Sequence, residues 1–386
     1  MIKKARLFTP GPTALHPEVQ AALARPIVHH RTDEFRALIK ECTAGLKAFL
    51  RTEDDVITLA SSGSGGMEAA LVNVLSPGDK MLALVAGKFG QRWEKLGRAY
   101  GMKVASLGAT WGEAVTPAAV AEALERDAEV RAVFCQFSES STGVAHDVKA
   151  LAEIVHRHPD TLLVVDAISG AGAMTLETQA WGIDLVVVGS QKALSLPPGL
   201  AFVSVSERAW KRVESTTTPR FYFDLRRERA GLARGEPGFT PAIALVVALK
   251  ASLDAIAAAG GVESLVANAG LLARMTRAAA KALGLPLVAP RDHGDALTAL
   301  FAPQGLDATA IVKGLKSTHM STVAGGQGEL KGKIFRVAHL GYYDVTDILG
   351  LLSTLETVLQ SLGHKFDLGC GVAAAQAEFI RHTAGR

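Results

Sequence analysis

Cysteine is scarce in this chain: Cys42, Cys135 and Cys370 are the only three in 386 residues. Their number is odd and their spacing fits no metal-binding pattern, so neither a disulfide framework nor a cysteine-built metal site is expected. On that ground we expect a reducing cytoplasm. Charge of one sign is lacking too, with 41 Lys and Arg against 38 Asp and Glu. These charges are interspersed, aromatics are 6% of the chain, and no basic segment is rich in them. Nucleic acid is therefore not an expected partner. Long apolar runs are also missing. The longest, AIALVVALKASLDAIAAAGGV, is interrupted by Lys250 and Asp254, which predicts a buried helix rather than a membrane span. The opening MIKKARLFTPGPT carries two lysines with no apolar stretch behind them, so we expect neither a secretory signal nor an anchor.

What is present is apolar material for a large core, at 48% of residues. Between about Asp54 and Val205 one pattern recurs: a short apolar run, Gly/Ser punctuation, then an amphipathic stretch. The runs are VITLA, MLALVAG, AVFCQF, LLVVD, LVVVG and AFVSV. Strands alternating with helices at this spacing predict an α/β domain with a mostly parallel sheet covered on both faces. After Pro241 the sequence reads as helix through Leu283, with a bend at Gly260 and Gly261. An α+β tail is expected to follow: strand ALTALFAP, helix ATAIVKGLKS, strand KIFRVAHLG and a final helix over about 345–362. We expect an N-terminal segment, 1–15, that packs on the small domain or a partner, a large domain, 16–258, and a small domain, 259–386.

The chemistry sits at the ends of the apolar runs, where open α/β sheets bind ligands. Lys192, just past LVVVG, is either a snorkelling surface residue or an amine held in a pocket to form a Schiff base. Asp166, ending LLVVD, tips the balance, because a buried carboxylate needs a cationic partner. A protonated pyridine nitrogen supplies one while Lys192 takes the aldehyde of the same ring, the arrangement pyridoxal phosphate needs. SSGSGGMEAALVN offers the third part: Gly63, Gly65 and Gly66 admit an anion, Ser62 and Ser64 add hydroxyls, and the helix behind presents free N–H groups. An ordinary capped turn has the same composition. In FSESSTGVAHDV, Ser141 and Thr142 read as hydrogen-bond donors to the ring or phosphate, or as a loop with a helix cap. Phe89, in KFGQRW, reads as a ring over the cofactor or as core.

The set TPGPTALHPEV, HHRTDEF, SGSGGMEAALVN, ESSTGV, VVDAISG, GSQKALSLPPG and GGQGELKGKIFRVAHLGY resembles the class V aminotransferases of fold type I, in particular the alanine–glyoxylate and serine–pyruvate (or serine–glyoxylate) branch. The resemblance runs nearly end to end. It implies a pyridoxal-phosphate transaminase, working by ping-pong on a small L-amino acid and a 2-oxo acid, that forms a homodimer with shared active sites. By motif it implies Lys192 as the Schiff-base lysine, Asp166 as the pyridinium partner, and Ser64, Gly65, Gly66 and Gln191 about the phosphate. It puts Ser141 near the cofactor, Arg336 on the substrate carboxylate and Thr240 on the neighbouring subunit's phosphate. A planar guanidinium is also the preferred bidentate partner of a carboxylate, which gives Arg336 a rationale of its own.

The sequence departs from the family at Phe89, where many relatives have tryptophan, at Gly66, where some have a larger residue, and near Pro237, where some have tyrosine. His29, His30 and Arg31 match the motif HHR and read as interface structure. With Arg336 the one arginine assigned to substrate, alanine or serine is favoured as donor; Arg92 and Arg31 leave aspartate or phosphoserine open. A cysteine desulfurase needs a thiol on the loop STVAGGQGELKG, which has none, since Cys370 lies further on. A non-catalytic subunit would have no evident reason to keep Lys192, Asp166 and Arg336 together.

Overall fold

The computed structural model describes residues 4–384. Seven strands form the main sheet: β1 (Asp55–Leu59), β2 (Lys80–Val85), β3 (Lys103–Gly108), β4 (Val130–Gln136), β5 (Leu162–Asp166), β6 (Leu185–Gly189) and β7 (Ala201–Val205). Their spatial order is β1-β7-β6-β5-β4-β2-β3. Only β7 runs antiparallel, pairing with both β6 and β1. Every residue of β5, β6 and β7 is buried, as uniformly apolar runs covered on both faces require. The register sets Asp166 beside Gln136 on one side and Val187 on the other, at the carboxyl edge of the sheet.

Helix α1 (Gly63–Val74) follows β1, and α2 (Gly90–Ala99) follows β2. Most of α1 is buried. A Cβ on Gly66 would stand 2.8 Å from Val187 and 3.1 Å from Ala201, so glycine there lets the helix lie close on β6 and β7.

The helical stretch after Pro241 is two helices, α3 (Ile243–Ala258) and α4 (Val262–Ala282), bent by 77° at the predicted glycines. No single helix among the described residues is long and apolar enough to cross a membrane. Beyond α4, β8 (Leu297–Phe301), β9 (Ala324–Gly325) and β10 (Ile334–Ala338) form a second, antiparallel sheet with β10 central. Helix α5 (Val345–Ser361) is not the last: α6 (Cys370–Ala384) follows and packs on α4. Near the N-terminus, Arg6–Leu7 pairs in parallel with Ser321–Thr322, and the Ala338 N–H donates to the Phe8 carbonyl at 3.1 Å. The segment that follows runs back to the carboxyl edge of the main sheet.

Candidate active site

At that edge lies a cavity of about 180 Å³ lined by Gly11, Ser62, Gly63, Ser64, Phe89, Arg92, Ser138, Ser140, Asp166, Ile168, Ser169, Gln191 and Lys192. Residues from six separate stretches of chain meet there because each follows, or packs on, the end of a strand.

Lys192 is 8% exposed. The TPGPT segment holds its loop: the Thr13 hydroxyl donates to the Lys192 carbonyl at 2.9 Å, and the Lys192 Nζ donates to the Pro10 carbonyl. Gly11, at φ +153°, passes so close that a Cβ would collide with Nζ and Cε of Lys192. Burial pushes the amine down to about 8, against the opposing pull of Asp166. Asp166 accepts from the Ile168 N–H at 2.9 Å. Burial pushes its carboxyl up to about 7, and that hydrogen bond only partly offsets the shift.

Glu139 escaped sequence reasoning. Its carboxylate is fully buried and accepts from Phe89 N–H (2.9 Å), Gly90 N–H (3.0 Å), Ser141 N–H (3.1 Å) and the Ser141 hydroxyl (2.6 Å). It thereby ties the turn that carries Phe89 to the ESSTG loop. The signal was the acidic residue itself, set in an otherwise apolar and hydroxyl-bearing stretch after a central strand.

The structure brings Ser62, Gly63, Ser64, Phe89, Arg92, Asp166, Gln191 and Lys192 together around the cavity and leaves Gly65, Gly66, Ser141, Thr142, Thr240 and Arg336 off its wall. Gly65 and Gly66 are not on the wall. A Cβ on Gly65 would collide with the Ser61 hydroxyl, and Gly66 serves helix-on-sheet packing; Ser62 and Gly63, at the start of the same turn, line the cavity with Ser64. Ser141 is turned away, its hydroxyl held between Glu139 and the Lys88 N–H at 2.9 Å, and Ser140 lines the cavity in its place. Thr142 donates to the Ala86 carbonyl at 3.3 Å. Thr240 is exposed and borders a separate cleft with Pro237, Tyr222 and Phe239. His29 and Arg31 are exposed, and the His29 ring lies 4.7 Å from that of His30.

Arg336, central in β10 and 4% exposed, donates from Nε (3.0 Å) and Nη2 (2.8 Å) to the Gly325 carbonyl and from Nη1 (2.5 Å) to the Ser140 carbonyl. It adjoins the cavity through Ser140 rather than forming its wall. Burial lowers its guanidinium pKa while the field of Glu139 supports the charge.

The cavity fits a phosphorylated pyridine aldehyde. Helix α1 begins at Gly63 and its N-cap Ser62 makes no side-chain capping bond; the Gly65 and Gly66 N–H groups donate to the Ser62 carbonyl, while those of Gly63 and Ser64 precede the first helical hydrogen bond and remain for an anion. Ser138 Oγ and Gln191 Oε1 are buried without a hydrogen-bond partner in the chain. Among the described residues no cation forms an ion pair with the Asp166 carboxylate, which Arg92 and Lys192 reach only through their fields, and a pyridinium would supply one.

Comparison with known proteins agrees. An alanine–glyoxylate aminotransferase structure from Nostoc superposes with a TM-score of 0.88 at 29% identity, covering 93% of this chain and 96% of that one. An L-aspartate–glyoxylate aminotransferase of Paracoccus denitrificans is 37% identical over 100% of this chain and 98% of its own. A soluble hydrogenase 42 kDa subunit of Anabaena cylindrica is 41% identical over 98% of this chain and 100% of its own. Fold and cavity together define a pyridoxal-phosphate-dependent aminotransferase of fold type I. More particularly, the chain belongs to the class V aminotransferase family, whose model matches residues 14–329.

Proposed function

We propose that this aminotransferase carries the amino group of a small L-amino acid, alanine or serine, to glyoxylate in a ping-pong exchange. The observation that carries the reading is the pairing of one buried arginine, Arg336, with the Lys192 and Asp166 cavity. One guanidinium at the substrate side anchors one carboxylate, which suits a neutral side chain. Glyoxylate as acceptor is supported by the names of two relatives, which share it although their donors differ. The hydrogenase-subunit name belongs to that relative, and nothing in the cavity described above calls on it.

When bound, pyridoxal phosphate supplies an electron sink for the substrate's α-carbon. Asp166 would hold a proton on the ring nitrogen, and Ser62, Gly63, Ser64 and Gln191 would receive the phosphate. Phe89, on the cavity wall, would lie against the ring and keep water from it. Lys192 would hold the aldehyde and would serve as the group that carries a proton to and from the substrate α-carbon, for which an amine lowered to about 8 is suited near neutral pH.

A homodimer is part of the proposal. Its support is Thr240, which borders a cleft separate from its own chain's cavity together with Tyr222 and Phe239, the 75% exposed Phe221 lying with its ring 5.7 Å from that of Phe239. The division at 258/259, supported by the bend between α3 and α4, and a reducing cytoplasm, supported by three free thiols, belong to the same reading.

The test is the absorbance of the purified enzyme, recorded before L-alanine, after it, and again after glyoxylate. The cofactor's visible band is expected to fall and then return, and Lys192→Ala to lower turnover more than about 10³-fold. A band that ignores L-alanine and L-serine but responds to L-aspartate overturns the donor assignment.

A further inference from the structure

Arg92 is a cation without an anion. It sits in the first turn of α2 and lines the cavity with its guanidinium 4.7 Å from the centre of the Phe89 ring. Its Nη1 donates to the Ser64 hydroxyl at 2.7 Å. Among the described residues no carboxylate pairs with it. A guanidinium stacked on an aromatic ring and fixed by a neutral hydroxyl is oriented, and its remaining N–H donors are free for an acceptor that enters the cavity.

Two anions can enter an aminotransferase cavity: the cofactor's phosphate and a substrate carboxylate. Their places differ. Arg336 is bound to the carbonyls of Ser140 and Gly325, on the side of the ESSTG loop and the second sheet. Arg92 is bound to Ser64, the second residue of α1, beside the Gly63 and Ser64 N–H groups that precede the first helical hydrogen bond. The other members of that cradle, Ser62, Gly63, Ser64 and Gln191, are uncharged, and Arg92 and Lys192 are the two cations on the cavity wall. Thr240 and Pro237 lie in another cleft and bring no charge of their own.

We infer that Arg92 is a phosphate ligand of the cofactor, closing the cradle at the start of α1, rather than a subsite for a second substrate carboxylate. The inference rests on the reading of this cavity as the cofactor site. It also deepens the substrate assignment, because an arginine engaged by phosphate is not available to the side chain of aspartate. Phe89 links the two tasks: the ring that covers the cofactor also orients the guanidinium that holds its phosphate.

Pyridoxal, which lacks the phosphate, is the probe. The full-length enzyme, stripped of cofactor, is titrated with pyridoxal phosphate and separately with pyridoxal, as wild type, Arg92→Gln and Arg92→Lys. The expected result is a loss of about 10- to 100-fold in affinity for pyridoxal phosphate in Arg92→Gln, with pyridoxal binding changed less than about two-fold. Arg92→Lys, which keeps the charge but not the fork, falls between wild type and Arg92→Gln. Equal losses for both compounds overturn the inference, since they mean that Arg92 acts only by supporting Phe89. Unchanged pyridoxal phosphate affinity with a raised KM for L-aspartate overturns it in favour of a second carboxylate subsite. A wild type that binds neither compound is a different failure, that of the cofactor-site reading itself.

Discussion

Two buried aspartates stand at opposite edges of the same sheet. Asp184, just before β6 at the amino edge, is 2% exposed; Asp166, ending β5 at the carboxyl edge, is 5% exposed. Asp184 accepts from the Leu163 N–H (2.8 Å), the Ser206 hydroxyl (3.3 Å) and Arg208 (3.4 Å). Asp166 accepts from the Ile168 N–H, with Lys192 and Arg92 acting only through their fields. Burial raises the pKa of both. Burial of a carboxylate therefore marks nothing by itself. What separates the two is that the chain completes the surroundings of Asp184 and leaves those of Asp166 to be completed by something that enters the cavity.

Alanine at each position turns that contrast into a crossover. Asp166→Ala is expected to lower kcat/KM by about 10²- to 10³-fold, read in steady-state kinetics, because the protonated ring nitrogen loses its support. It leaves the cofactor-free protein no less stable near neutral pH. The sign follows from the shift from 3.8 to about 7: across that window the folded protein keeps the Asp166 proton that the unfolded chain has released. Stability of the cofactor-free protein thus falls as pH rises through the window, by at most about 4 kcal/mol from this group, and the variant lacks that fall. Thermal melts across the window test it. Asp184→Ala is expected to do the reverse, costing about 3 kcal/mol in denaturant unfolding with kcat and KM unchanged, since it strands Leu163 N–H and Arg208. A catalytic defect in Asp184→Ala at full folding would erase the distinction.

Arg336→Lys sharpens the same contrast on the substrate side. A lysine keeps the charge but cannot span the Gly325 and Ser140 carbonyls and a carboxylate together. We expect kcat/KM for the amino acid to fall about 30-fold, mostly through KM, while cofactor affinity stays within two-fold.

The apolar runs made six of the seven main strands legible, and with them the sites at their ends: Lys192, Asp166 and Phe89 are chemical residues at the close of uniform runs. The seventh strand, Lys103–Gly108, was not legible, because it is the sheet's edge and its residues are half-buried or exposed, so KVASLG shows no covered face. Helix α6 buries only Gly371 and Ala375 among its described residues, too little for an amphipathic signal. Within the site, Gly65, Gly66 and Ser141 lie off the cavity wall for a shared reason. A motif fixes a segment but not which of its neighbours points inward, and one position in a helix turn or a loop exchanges cavity wall for packing. Arg92 was read only as a loop arginine, since its link to Ser64 joins residues 28 apart in sequence.

The smallest effect is expected at Cys370, and it bears on the remaining lyase alternative. A thiol that attacks substrate must be ionised and mobile, which calls for a lowered pKa in an exposed, electropositive setting. Cys370 has the opposite surroundings: it begins α6, points its Sγ at the Ala282 carbonyl 3.6 Å away, and has its pKa raised by burial first and by Glu356 and Asp367 next. It is absent from the cavity wall that holds Lys192. Cys370→Ser should therefore change stability by less than about 0.5 kcal/mol and transamination by less than about two-fold. Alkylation of the wild-type enzyme should be equally silent. Loss of activity in the serine variant, with folding and cofactor absorbance intact, would mean that the C-terminal helix delivers a nucleophile to the cavity, and the contrast between the two edges of the sheet would no longer suffice to locate the chemistry.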